Sequence, residues 1–301
     1  MTKTRFQRLP KKDRDEVQRI KAILDEELPS TPELINESIS IIRHHVGTPR
    51  AGSTMASQFS RIQSHFYDHG IIRRLLDNDI DAQIVSLRTC ARLGYLTRLA
   101  GGTSYSGGCD CLHIFDILPA LAVREHEVLN RFLAQFQSPF KSGHQSTLLL
   151  ANSVYAILNG DSTAFQALTP KLRNRKENRF FRAMYDSLLA IDARDGDALS
   201  AALSEMAKWN KRTDINSSMQ KLVCIPAHAI YNLSLSAFTS EVLTPPLPIN
   251  ELPWDSEFHD GVQSEENSAG CFDFTNDSVV LGRWVTKLPD HIDANELVAD
   301  C

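Results

Sequence analysis

"LLLANSVYAILNGDSTAFQALTPKL" (residues 148–172) is followed by "FFRAMYDSLLAIDARDGDALSAALSEM" (residues 180–206). Each stretch holds an apolar segment, a Gly-Asp step and a second amphipathic segment. Gly160–Asp161 and Gly196–Asp197 stand 36 positions apart, close to the period of helical-hairpin repeats. In each, glycine can close one helix with positive φ and aspartate can cap the next. The apolar positions pair Val154, Ile157 and Leu158 with Tyr185, Leu188 and Leu189. One helical hairpin cannot bury its own apolar face, whereas stacked hairpins can, leaving an extended outer surface. An irregular bundle with two similar hairpins is the other architecture this pattern allows.

The same texture extends outward. "ALAVREHEVLNRFL" (residues 120–133) reads as a degenerate earlier unit, and "PAHAIYNLSLSAF" (residues 226–238) as a closing helix. Pro119 lacks a backbone N–H, so a kink or a helix start is expected there, and "SPFKSGHQ" (residues 138–145) is a loop. Upstream, helices are expected from Asp13 to Leu28, then over residues 29–47, with Ser30 or Thr31 as cap and Gly47 as stop. Two more are expected, from Thr54 to Leu76 and from Asp81 to Ala100. Asp81 is taken as the cap of the second and Gly101–Gly102 as its stop. The fold class is all-α: stacked helical hairpins over residues 112–240 within a helical domain of residues 1–243.

The composition changes near residue 244. "TPPLPINELPW" (residues 244–254) holds four prolines and cannot be one helix. The net charge is −5, but residues 241–301 carry thirteen acidic side chains against two basic ones, while the preceding chain has a basic excess. Residues 244–301 therefore read as an acidic extension. Its aromatics Trp254, Phe258, Phe272, Phe274 and Trp284 indicate that it packs on the helical domain. "SVVLGRWV" (residues 278–285) is β-prone and allows a short hairpin.

The chain has no apolar run long enough to span a membrane and no apolar stretch behind its basic N-terminus, so a cytoplasmic location is expected. Its six scattered cysteines suit reduced thiols.

Candidate chemistry is sparse. "GGTSYSGGCDCLH" (residues 101–113) lacks the lysine and the preceding strand of a phosphate-binding loop. Cys109, Cys111 and His113 have no second ligand pair at metal-site spacing, so the stretch reads as a connection between helices. His65 and His69 share a helix face with Asp68 beside them, but no third ligand has an identifiable position. There is no Gly-x-Ser-x-Gly elbow. Neither a metal, a cofactor nor a catalytic residue is assigned. "KLRNRKENRFFR" (residues 171–182) concentrates six basic side chains, read as a solvated repeat edge in preference to a phosphate-contacting surface. The acidic extension is either a solubilising surface or an electrostatic lure for a basic partner. Its candidate partner-binding residues are Trp254, Asp255, Glu257, Phe258, Asp260, Glu265 and Glu266.

From Ile84 to Phe238 the order of features resembles the immunity protein 49 family of bacterial polymorphic toxin systems. The features are "LRTCARLGYLTRLAGG", the Ser-Tyr link "TSYSGGCDCLHIF", the pair at "LPALAVREHEVLNRFL", the Gly-Asp hairpins, and "CIPAHAIYNLSL" leading to "TPPLP". The resemblance implies an all-helical, non-catalytic, cytosolic protein that neutralises a cognate toxin by binding it and masking its active site. A toxin cleft that is basic would suit the acidic extension as a charge mimic. A helical-repeat scaffold that binds peptides or proteins is the alternative function, and direct nucleic-acid binding is not expected.

Overall fold

A computed structural model describes residues 5–22, 31–105, 114–212, 220–237, 254–264 and 270–299. Among them every regular element is an α-helix, and there is no strand. In chain order the helices are α1 (Arg5–Arg8), α2 (Lys11–Ala22), α3 (Thr31–His45), α4 (Ala51–Leu76), α5 (Ile80–Tyr105), α6 (Ile114–Ala122), α7 (His126–Gln135), α8 (Gln145–Leu158), α9 (Ser162–Asn174), α10 (Arg179–Ala193), α11 (Gly196–Asn210), α12 (Ile225–Ala237), α13 (Ser256–Gln263), α14 (Val279–Lys287) and α15 (Ala294–Ala299). The chain divides into two compact units, one of residues 1–107 with 261–301 and one of residues 108–260. The compositional boundary at residue 243 falls outside the described residues.

The first unit is organised by α4 and α5, two helices of 26 residues that pack along each other as an antiparallel hairpin. Asp79 caps α5: its Oδ1 accepts from Ala82 N at 2.9 Å, so the cap stands two residues before the expected Asp81. Two glycines let the helices approach. A Cβ on Gly70 would lie 2.7 Å from the Ser86 Cβ, and one on Gly52 would lie 2.6 Å from the Ala100 carbonyl oxygen. Gly101–Gly102 do not stop α5, which runs on to Tyr105.

The C-terminal segment completes this unit's core. Phe274 and Trp284 are buried, with Phe274 against Phe66 and the Trp284 ring edge-on to Phe59 at 6.4 Å. Arg92 on α5 donates to the Val285 and Thr286 carbonyls at 2.8 and 2.9 Å, which satisfies the open C-terminus of α14. The short hairpin that residues 278–285 allowed does not form, and α14 stands in its place. Ser278 caps it, and Val280, Leu281, Trp284, Val285 and Leu288 form one buried face. That i, i+1, i+4, i+5, i+8 spacing belongs to a helix, and it outweighs the β-propensity of two adjacent valines.

The second unit is a run of helix pairs: α6 with α7, α8 with α9, and α10 with α11, with α12 packed on α6, α8, α10 and α11. The three pairs share one turn. Arg124, Gly160 and Arg194 all adopt positive φ, at 54°, 64° and 54°. The following residue returns its N–H to a carbonyl five positions back: Glu125 to Ala120, Asp161 to Ala156 and Asp195 to Ala190, at 2.8 to 2.9 Å. This is the Schellman arrangement, which satisfies the last carbonyls of the preceding helix. The same residue then starts the next helix: Asp161 Oδ1 and Asp195 Oδ1 accept from Ala164 N and Ala198 N at 2.9 Å.

The structure therefore corrects the sequence register. Gly160–Asp161 behave as expected, but their counterparts are Arg194–Asp195, because Gly196 is already the first residue of α11. The spacing becomes 36 positions from Glu125 to Asp161 and 34 from Asp161 to Asp195. Val154 and Ile157 then correspond to Leu188 and Ile191 instead of to residues three positions earlier. Pro119 lies inside α6, whose last carbonyls, Leu121 and Ala122, accept from Asn232 of α12 at 3.0 and 2.9 Å.

Candidate functional site

The repeated turn creates a concavity among the described residues. Where the second and third turns lie side by side, the ends of α8 and α10, the start of α9 and the end of α12 line an open groove of about 320 Å³. Ala156, Ile157, Phe165 and Ile191 form its apolar floor, and Asp161, Ser162, Asp192, Arg194 and Ser236 its polar rim. Asp161 is engaged as the α9 cap, and Asp192 accepts from Gln166 Nε2 at 2.8 Å. No sequence motif marks this groove, because it forms only when equivalent turns from successive pairs come together.

Of the residues expected to meet a partner, Glu265 and Glu266 lie outside the described residues. Trp254, Asp255 and Phe258 are not surface anchors: they are 2%, 0% and 0% exposed. Trp254 stacks on His228 of α12 with ring centroids 3.9 Å apart, and Phe258 meets the same imidazole edge-on at 5.0 Å. The Asp255 N–H donates to His228 Nε2 at 3.2 Å, while Asp255 Oδ1 accepts from Phe258 N at 3.0 Å and so caps α13. Only Glu257 and Asp260 of the described set face solvent. The physical reason is periodic. Phe258 and Val262 stand four positions apart on α13 and are buried, Trp254 stands four positions earlier before the Asp255 cap, and this spacing leaves Glu257 and Asp260 outside. The spacing alone marks the buried residues, whereas the acidic neighbours point to a surface.

Around this contact, His259 lies edge-on to Tyr231 at 4.7 Å. Burial holds its imidazole below the ordinary range, which Asp260 opposes and Arg124 reinforces. The buried Cys224 thiol is pushed up to about 12 by desolvation, which keeps it protonated and poorly nucleophilic.

His65 and His69 do share a face of α4, with rings stacked 6.0 Å apart and His65 Nε2 3.0 Å from Thr31 Oγ1. Burial, then the neighbouring His69, lowers His65 to about 4, and burial raises Asp68 to about 6. Among the described residues no group of three or more His, Cys, Asp or Glu is arranged to hold a metal ion. Cys109, Cys111 and His113 lie outside them.

The basic stretch at residues 171–182 forms the opposite end of the hairpins from the turns. Arg182 donates to the Leu172 carbonyl at 2.6 Å and pairs with Asp186. Arg175 pairs with Glu177, which also accepts from Ser146 Oγ. The guanidiniums of Arg179 and Arg212 lie over the Trp209 ring at 4.5 and 4.8 Å, bringing the C-terminal end of α11 to the same place.

Among the described residues no helix is long and apolar enough to cross a membrane. In comparisons with known proteins, no protein-family model, no curated protein and no solved structure matches the chain.

Proposed function

We propose that the protein acts by binding: α6 to α11 form a short helical-hairpin repeat array, and the array holds a cognate toxin effector and covers its active site, as an immunity protein of the polymorphic toxin systems does. The observation that supports this reading is the recurrence of one turn, with a positive-φ residue at the same position and the same carbonyl bond, at 36- and 34-residue intervals. Such arrays stack to bury a continuous core and leave their outer surface for a partner. The groove between the second and third turns offers apolar contact with a polar rim, the layout of a seat for a protruding side chain of the partner. Glu257 and Asp260 are the exposed carboxylates that fit a basic cleft, while Trp254, Asp255 and Phe258 hold their helix in place from beneath. Toxin and immunity protein meet in the cytoplasm in this scheme, and no catalysis is asked of the chain.

The test is co-expression with the product of the neighbouring toxin gene, scored by growth and by recovery of a complex. Ile157→Arg, which fills the groove, is expected to weaken protection. Glu257→Lys with Asp260→Lys weakens it if the acidic helix enters a basic cleft. Full protection by all these variants would exclude both surfaces. The groove also suits a scaffold that binds peptides generally. One co-purifying partner supports the immunity reading, and several peptide-bearing partners support the scaffold.

A further inference from the structure

We infer that the end of the second unit opposite its turns is a separate docking surface for an acidic segment of a protein partner. The surface is assembled by the C-terminal end of α9, the loop to α10, the first turn of α10 and the C-terminal end of α11. Arg182 binds the Leu172 and Arg173 carbonyls, and Arg179 and Arg212 both reach Trp209. The carboxylates nearby are already engaged: Glu177 by Arg175, Asp186 by Arg182, and Glu205 by Lys208 and the Trp209 indole N–H. Lys171, Arg173 and Lys176 are exposed and form no ion pair among the described residues, which leaves an uncompensated positive surface.

The fold's own electrostatics do not explain this. Lys171 and Arg173 complement the negative end of α9, as is common. Lys176 and Arg179, however, precede and open α10, whose first turn contains no acidic residue. Glu177 beside the Asn178 cap supplies one anion there but is paired with Arg175, which leaves Lys176 opposing the helix dipole.

Composition selects a protein partner over a nucleic acid. Two guanidiniums already lie over the Trp209 ring, so a base would have to compete with them to stack there. The turn end of the same unit presents Asp161, Asp192, Asp195 and Asp197, all exposed, so the positive surface is confined to the opposite end. Several arginines around one tryptophan make the side-chain mixture that dominates protein interfaces, and guanidinium forks match carboxylates in bidentate geometry. This inference is independent of the toxin reading, and defined probes test it without a toxin.

The probes are a fluorescein-labelled Glu-rich peptide and, beside it, labelled single- and double-stranded oligonucleotides, each followed by anisotropy with the full chain. Trp254 and Trp284 are 2% and 3% exposed, so acrylamide quenching reports chiefly on Trp209. Peptide binding is expected to shield Trp209, to weaken with added salt, and to weaken about tenfold in a Lys171→Glu, Arg173→Glu, Lys176→Glu variant. Lys176→Glu alone, in a loop, gives a smaller loss in a chain whose folding it does not threaten. No peptide binding, binding indifferent to charge reversal, or tighter binding of an oligonucleotide that the reversal abolishes would each overturn the inference.

Discussion

One carboxylate decides where α11 begins. Asp195 and Asp197 flank Gly196, and only Asp195 accepts the Ala198 N–H. Asp195→Ala is expected to cost about 1 kcal/mol, the usual worth of an N-cap, and Asp197→Ala less than half of that. Urea midpoints of the two variants check the register directly. The pair on α4 makes a second residue-scale prediction. The unfolded chain protonates His65 near 6.5 and the folded chain near 4, so His65 removes stability as pH falls through that window. Asp68 has the reverse sign: the folded chain takes up its proton near 6 and the unfolded chain near 3.8, so stability rises as pH falls. Between about pH 4 and 6 the two effects offset each other. His65→Gln is expected to gain stability relative to the parent as pH drops from 6 toward 4. Asp68→Asn is expected to be the more stable protein at pH 7 to 8, where the parent carries a poorly solvated carboxylate. Unfolding midpoints across that range measure both, and a His65→Gln profile parallel to the parent's would contradict the assignment.

At the scale of elements, α4 and α5 depend on absent side chains. Gly70→Ala raises helix propensity by roughly 1 kcal/mol, yet its methyl would meet the Ser86 Cβ at 2.7 Å. Net destabilisation is expected, by about 1–3 kcal/mol, the range for overpacking. Ser86→Gly in the same chain should restore part of it, and a stabilised Gly70→Ala protein would refute the close approach. What was legible in the sequence follows the same logic. Period and caps reveal helices wherever one residue type performs the local task, as Asp161 does for α9. They mislead where two residues compete, as at Asp195 and Asp197. They also mislead where a positive-φ position is filled by arginine instead of glycine, as at Arg124 and Arg194. The short hairpin that residues 278–285 allowed does not form, because a buried stripe of five residues at helical spacing outweighs the β-propensity of two valines.

For the molecule as a whole, the C-terminal segment is structural in both units. Residues 254–260 belong to one and residues 261–301 to the other. Trp284 is 3% exposed, and Trp284→Ala is expected to cost about 3–5 kcal/mol, a core-sized loss. Thermal unfolding checks this, and a loss within 0.5 kcal/mol, the ~0.5 kcal/mol typical of surface changes, would contradict the packing. For the same reason, deleting residues 250–301 removes core side chains together with charges, so substitutions at Glu257 and Asp260 are the cleaner probe of an acidic lure. The candidate surfaces were only partly legible from sequence. Exposed carboxylates could be read from the spacing, but the groove arises from three-dimensional neighbourship of two turns. The central claim is that this chain works by holding another protein. The most direct measurement is the mass and growth phenotype obtained when it is co-produced with the toxin that the proposal assigns to the adjacent gene. A discrete complex with growth restored is predicted; free toxin beside free protein, with growth still arrested, would contradict it.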